Sequence, residues 1–167
     1  MNFKNIKNWN LDIEKEITEK WKKSKQFNFN PKTKKKIYSI ELDEAFYRNA
    51  RKKFANNNHI LILFGDSPVQ LKKILPKIDK PCLFWLDAHF SGEGTAKGDI
   101  ETPIMEEMIL ILNHSNLKHI ILIDDARLFI GKNHYPSIEK VKSLVFKYHK
   151  DWLFIIKNDI IRIYSKP

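Results

Sequence analysis

The sequence predicts an α/β fold, three-layered and doubly wound. Apolar, strand-like runs alternate with helical segments from Ile37 onward. Those runs are apolar on both faces, as in a parallel sheet covered by helices on two sides. The chain then closes on two strands around Lys157-Asn158-Asp159, which read as a hairpin with a polar turn. The expected sheet is mostly parallel, with an antiparallel pair at its C-terminal edge.

Each element has its own signal. Leu11, Ile13, Ile17 and Trp21 recur at helical spacing, and Asn10 can cap them, so a helix is expected over 11–25. Residues 26–36 are a polar connector. Ile37–Leu42 reads as a strand, and Asp43 caps a helix running to about Phe54, with Ala45, Phe46, Ala50 and Phe54 on its buried side. Ile60–Phe64 is an almost wholly apolar strand. Gly65 and Asp66 make the turn, Ser67 is the expected cap, and Pro68 opens a helix to about Leu75.

Pro81–Leu86 is the next apolar strand, and 87–101 is a loop. Thr102-Pro103 opens a helix to about Asn113, with Glu106 and Glu107 near its positive end. His119–Ile123 is a strand, 124–135 a loop, and Pro136 opens a helix. Trp152–Ile156 and Ile160–Tyr164 form the hairpin. The organisation expected is a basic N-terminal segment with one helix, 1–36, followed by an α/β domain, 37–167.

Composition bounds the function. The 167 residues carry a formal net charge of +10, with 11 Lys and 4 acids in residues 1–36. A basic arm of that kind can touch nucleic acid or an acidic membrane, and it is equally the composition of a solvated Lys/Asn-rich segment. The lone Cys82 excludes an internal disulfide and a Cys-rich zinc site, and fits a reducing, cytoplasmic compartment. No run of 18 apolar residues is present, and the start lacks the apolar region of a signal peptide. The five glycines stand at 65, 92, 94, 98 and 131. The first 64 residues therefore hold neither a P-loop nor a G-x-G-x-x-G turn.

In doubly wound sheets ligands bind outside the carboxyl ends of the strands. The residues expected there are acidic. Glu41 ends the first clear strand, Asp66 follows the second, Asp87 follows the third, and Asp124 and Asp125 follow the fourth. Adjacent strands lie about 4.8 Å apart, so carboxylates on neighbouring ends can reach one ligand or cation together. Asp66 could instead shape the turn. Two like charges at 124 and 125 are costly without a cation or donors, and Arg127 is the alternative partner. Oxygen-rich clusters suit Mg²⁺, Mn²⁺ or Ca²⁺. His89 could act as a base or ligand. The long loop after Asp87 holds three glycines and reads as a binding loop or lid.

These residues resemble class I S-adenosylmethionine-dependent methyltransferases over about Ile37–Tyr164, which implies a Rossmann-like fold. Tyr38-Ser39-Ile40-Glu41-Leu42-Asp43 resembles the family's second strand, whose terminal acid binds the cofactor ribose. Gly65-Asp66-Ser67 resembles the turn whose Asp lies beside the adenine. Leu86-Asp87-Ala88-His89-Phe90-Ser91-Gly92, with Lys97-Gly98, Thr102-Pro103 and Ile123-Asp124-Asp125-Ala126-Arg127, resembles a bacterial subgroup carrying "LDAHYSG", "TAKG", "TP" and "IDDAR". The resemblance implies that Glu41, Asp66, Ser67 and Asp87 bind the cofactor. It implies that Asp87, Asp124 and Asp125 hold a divalent cation such as Mg²⁺, as in the family's metal-dependent O-methyltransferases. Asp87 and His89 would be catalytic, with His89 taking the proton.

The family's first strand and its Gly-containing loop have no counterpart before Ile37. Either the chain is a truncated form, or Phe3–Ile6 is a degenerate first strand, or the sheet closes without it. The expected activity is O-methylation of a sugar or other hydroxylated small molecule. The alternative is a non-catalytic relative that does not bind the cofactor. No membrane partner is expected, nucleic acid could only involve the arm, and self-association is left open.

Overall fold

The computed structural model describes residues 36–87, 102–114, 117–132 and 134–166. The helix expected over 11–25, the Phe3–Ile6 segment and the loop 88–101 lie outside the described residues. The described elements run β1 (Ile37–Glu41), α1 (Glu44–Lys53), β2 (Ile60–Phe64), α2 (Ser67–Ile74), β3 (Leu83–Leu86), α3 (Ile104–Asn113), β4 (Ile120–Ile123), α4 (Ile138–Tyr148), β5 (Trp152–Lys157) and β6 (Ile160–Ser165). Single 3₁₀ turns follow α2 at Leu75–Lys77 and β4 at Ala126–Leu128.

The fold is α/β, and its strands are mixed rather than mostly parallel. β1 pairs with β2 in parallel, and β3 with β4 in parallel. β6 then lies antiparallel to both β4 and β5. The described strands form two sheets, β1-β2 and β3-β4-β6-β5, where one sheet was expected. Asn158 and Asp159 both adopt left-handed backbone, φ 51° and 60°, in the tight turn that pairs β5 with β6 antiparallel, and β6 lies between β4 and β5.

The core lies around β4. Its four residues are all buried, because α/β packing covers both faces and β3 and β6 cover both edges. Met108, Ile111, Ile121, Ile123, Val141, Val145, Ile161 and Ile163 meet there, joining α3 and α4 to the sheet. Met108 is fully buried, as the helical stripe Ile104, Met108, Ile111 requires. The β1-β2 pair is less enclosed: Ile37, Leu61 and Phe64 are exposed.

The caps explain where the helices begin. Asp43 Oδ1 accepts from Phe46 N at 2.9 Å, as expected. At α2 the cap is Asp66, whose Oδ1 accepts from Val69 N at 3.3 Å, and Ser67 is the first helical residue. Both residue types cap well, and the Gly65 turn decides between them: φ +121° at Gly65 carries the chain out of β2 and leaves Asp66 extended. Ser137 caps α4 through Lys140 N at 3.2 Å.

Candidate functional site at the strand ends

Parallel pairing brings the predicted acids together in two sets. Glu41 is the register partner of Phe64, and Gly65 N donates to Glu41 O at 2.9 Å, so Glu41 and Asp66 stand on neighbouring strand ends. Each spends one carboxylate oxygen on backbone. Glu41 Oε1 accepts from Asp43 N at 3.0 Å, and Asp66 Oδ1 accepts the cap bond. Among the described residues, no hydrogen bond engages Glu41 Oε2 or Asp66 Oδ2.

The second set is Asp87 with Asp124. Leu86 pairs with Ile123, and Asp124 N donates to Leu86 O at 3.1 Å, so the two acids occupy the next rung of the ladder. Burial raises the Asp124 carboxyl above its ordinary range, and the negative charges of Asp87 and Asp125 raise it further. The Asp125 N–H, donating to Asp124 Oδ1 at 2.9 Å, and the more distant Arg127 pull the other way.

Asp125 is placed differently from its neighbour. It takes left-handed backbone, φ 56°, and its Oδ1 pairs with Arg127 Nη1 at 2.7 Å. Arg127 also pairs with Asp159, whose Oδ1 accepts from Arg127 N at 2.8 Å. Ala126 N donates to Asp159 O at 2.8 Å. The turn of the β5–β6 hairpin is thereby fastened to the loop after β4. A divalent cation would meet two carboxylates here and a third paired with Arg127. No group of three His, Cys, Asp or Glu among the described residues is arranged to hold a metal ion. His89 lies outside the described residues.

Sequence reasoning missed Glu107. It is 2% exposed on the first turn of α3, with Oε2 buried and, among the described residues, without a hydrogen-bond partner. Burial pushes its carboxyl up to about 7; a hydrogen bond from Ser67 opposes this, and the charges of Asp66 and Glu106 add to it. The signal was in the sequence. Glu107 falls three residues after Ile104 and four before Ile111, on the apolar stripe.

A histidine cluster sits at the opposite, amino ends of β3 and β4. Cys82 N donates to His119 Nδ1 at 3.1 Å, so His119 Nε2 carries the proton and donates to His114 Nδ1 at 3.0 Å. His149 Nε2 donates to Leu112 O at 3.1 Å and its ring stacks on Trp152. Burial, with His114 alongside, lowers the pKa of His119 to about 4. The cluster ties β3, α3 and β4 together away from the acidic edge. Cys82 has its thiol raised by burial and by Asp79.

No protein-family model matches this chain. No curated protein matches it. Among solved structures, the chain is similar to a Staphylococcus aureus protein assigned as a caffeoyl-CoA O-methyltransferase, with a TM-score of 0.45 and 16% identity. The likeness covers 79% of this chain and 65% of that one.

Proposed function

We propose that this chain is a methyltransferase-like protein that takes S-adenosylmethionine at its acidic strand ends and methylates a hydroxyl oxygen of a sugar or other hydroxylated small molecule. The observation that carries the reading is the Glu41–Asp66 pair. Two carboxylates stand on adjacent parallel strand ends, each anchored by one oxygen and offering the other. Glu41 suits the vicinal hydroxyls of a ribose, and Asp66 suits the exocyclic amine of a purine. Ser67, beside Asp66, belongs to the same end of the site.

The cofactor would supply an electrophilic methyl group, so the chain's own task is alignment and proton handling. Asp87 and Asp124 stand at the reacting end in this reading. Asp124, held towards its protonated form, suits proton exchange with an acceptor hydroxyl. His89 is a second candidate for that proton. Mg²⁺ would meet Asp87 and Asp124, and would have to compete with Arg127 for Asp125.

A second reading has its own observation. Among the described residues no ladder joins β1 to β3, so the two halves of the acidic edge belong to separate sheets. A non-catalytic relative that keeps the fold and does not hold the cofactor fits that arrangement. Calorimetry separates the two. S-adenosylmethionine should bind wild type saturably and bind Glu41→Ala or Asp66→Ala more weakly. An equally stable fold with no heat at millimolar cofactor would favour the second reading.

A further inference from the structure

We propose that Glu107 is a positioning residue for the Asp66 end of the site: a buried carboxyl that braces the Gly65–Ser67 turn and is electrostatically coupled to Asp66. The functional half of this rests on the nucleoside reading of Asp66. The coupling itself is a property of the free protein.

The geometry comes from two helix starts packed against each other. α2 begins at the Asp66 cap and α3 begins two residues after Thr102, which is itself buried. Outside, Lys72 of α2 and Glu106 of α3 form a solvent-facing ion pair at 2.7 Å. Inside, Glu107 meets Ser67 and the field of Asp66, with Oε2 unpartnered. A charged carboxylate there would leave a buried oxygen unsatisfied and face a second negative charge, at considerable cost. The neutral acid removes the repulsion between the two carboxyls and lowers the cost of the unpartnered oxygen.

The charged and titratable groups facing Glu107 are Asp66 across the helix pair and Glu106 on its own turn, the latter partnered by Lys72. Asp66 caps α2 and neighbours Glu41, so any change in its charge balance reaches Glu107 through the turn. A purely packing role for Glu107 would leave its pH dependence unaltered by Asp66→Asn.

The test is equilibrium unfolding of the full chain as wild type, Glu107→Gln, Asp66→Asn and the double variant, across pH. The glutamine keeps the shape and cannot ionise. The folded-to-unfolded ratio of Glu107→Gln relative to wild type should rise about 100-fold between about pH 5 and about pH 8.5. Other titrating groups, His119 included, are common to both proteins and cancel. In the Asp66→Asn background that rise should be smaller, because one of the negative charges that raise the Glu107 carboxyl is gone. A ratio constant with pH, or a rise unchanged by Asp66→Asn, overturns the proposal. If Glu107→Gln does not fold, side-chain carboxyl NMR of wild type and Asp66→Asn gives the same answer. A glutamate midpoint near neutrality should move down in the variant, and a midpoint that does not move overturns the coupling. Titrating adenosine into the same samples keeps the two readings apart. Absence of adenosine binding in every sample overturns the nucleoside role and leaves the coupling; pH-dependent binding in wild type that is lost in Glu107→Gln supports both.

Discussion

At the residue scale, what a side chain does here is decided by its partner rather than by its type. Asp124 and Asp125 are adjacent in sequence. One is half-buried beside Asp87, and the other turns through φ 56° to meet Arg127. The pairing of Asp125 with Arg127 was foreseen as an alternative, because the cation lies only two residues away. The role of His119 was not legible. Its hydrogen-bond donor, the N–H of Cys82, lies 37 residues away, and only the parallel register of β3 and β4 brings them together.

His119 gives a pH prediction of definite sign. Its folded form holds the imidazole neutral, with the pKa lowered from 6.5 to about 4. The unfolded chain therefore binds the proton first as pH falls. The contribution of the neutral histidine is fully present above 6.5 and is lost as pH falls to about 4. That loss amounts to about 3 kcal/mol at most. Urea unfolding should read it: the stability difference between wild type and His119→Asn should shrink on acidification from about pH 7 to about pH 4. A difference that stays constant would mean the imidazole is not held neutral by the fold.

At the element scale, the strands were the most legible feature, since Ile60–Phe64 and Ile120–Ile123 are continuous apolar runs that need cover on both faces. Helix starts were legible to within about two residues: α4, expected to open at Pro136, begins at Ile138 after the Ser137 cap. The shift from Ser67 to Asp66 as cap of α2 follows from Gly65, whose φ of +121° ends the strand abruptly. That turn makes a second prediction. A Cβ at residue 65 would lie 3.1 Å from Gln70 Nε2, which donates to Phe64 O at 2.8 Å, and the backbone there disfavours L side chains. Gly65→Ala should cost about 1–3 kcal/mol by denaturant unfolding. A neutral substitution would show that the turn is not held in this conformation.

Packing of α3 onto the β4 sheet gives a third. Met108 is fully buried in the cluster that joins α3 to β4, β6 and α4. Met108→Ala should destabilise by about 2–5 kcal/mol, with a change in urea midpoint and little change in slope. A loss well under about 1 kcal/mol would mean that α3 is not seated on this sheet. Glu107 lies on the same stripe. Its spacing places it on the buried stripe, whereas it was expected, with Glu106, as an acid near the positive end of the helix.

At the scale of the whole molecule, the order of strands and helices was legible and the pairing between them was less so. A single mostly parallel sheet was expected; the described strands form two sheets, with as many antiparallel pairings as parallel ones. Local patterning shows which segments are strands, but ladder partners are chosen by contacts far apart in sequence. The chemistry follows from the pairing. Acids at 41, 66, 87 and 124 are spread over 84 residues of sequence and become two adjacent pairs because β1-β2 and β3-β4 both run parallel. Among the described residues no helix is long and apolar enough to cross a membrane.

The strand-end acids are proposed to hold an adenosine-bearing methyl donor. Isothermal calorimetry with S-adenosylmethionine tests it directly. Wild type should give saturable binding at one site per chain, weakened roughly 10- to 100-fold by Glu41→Ala, the loss of a charge-assisted hydrogen bond to the ribose. No heat from folded wild type at millimolar cofactor, or binding unaffected by Glu41→Ala, would contradict it.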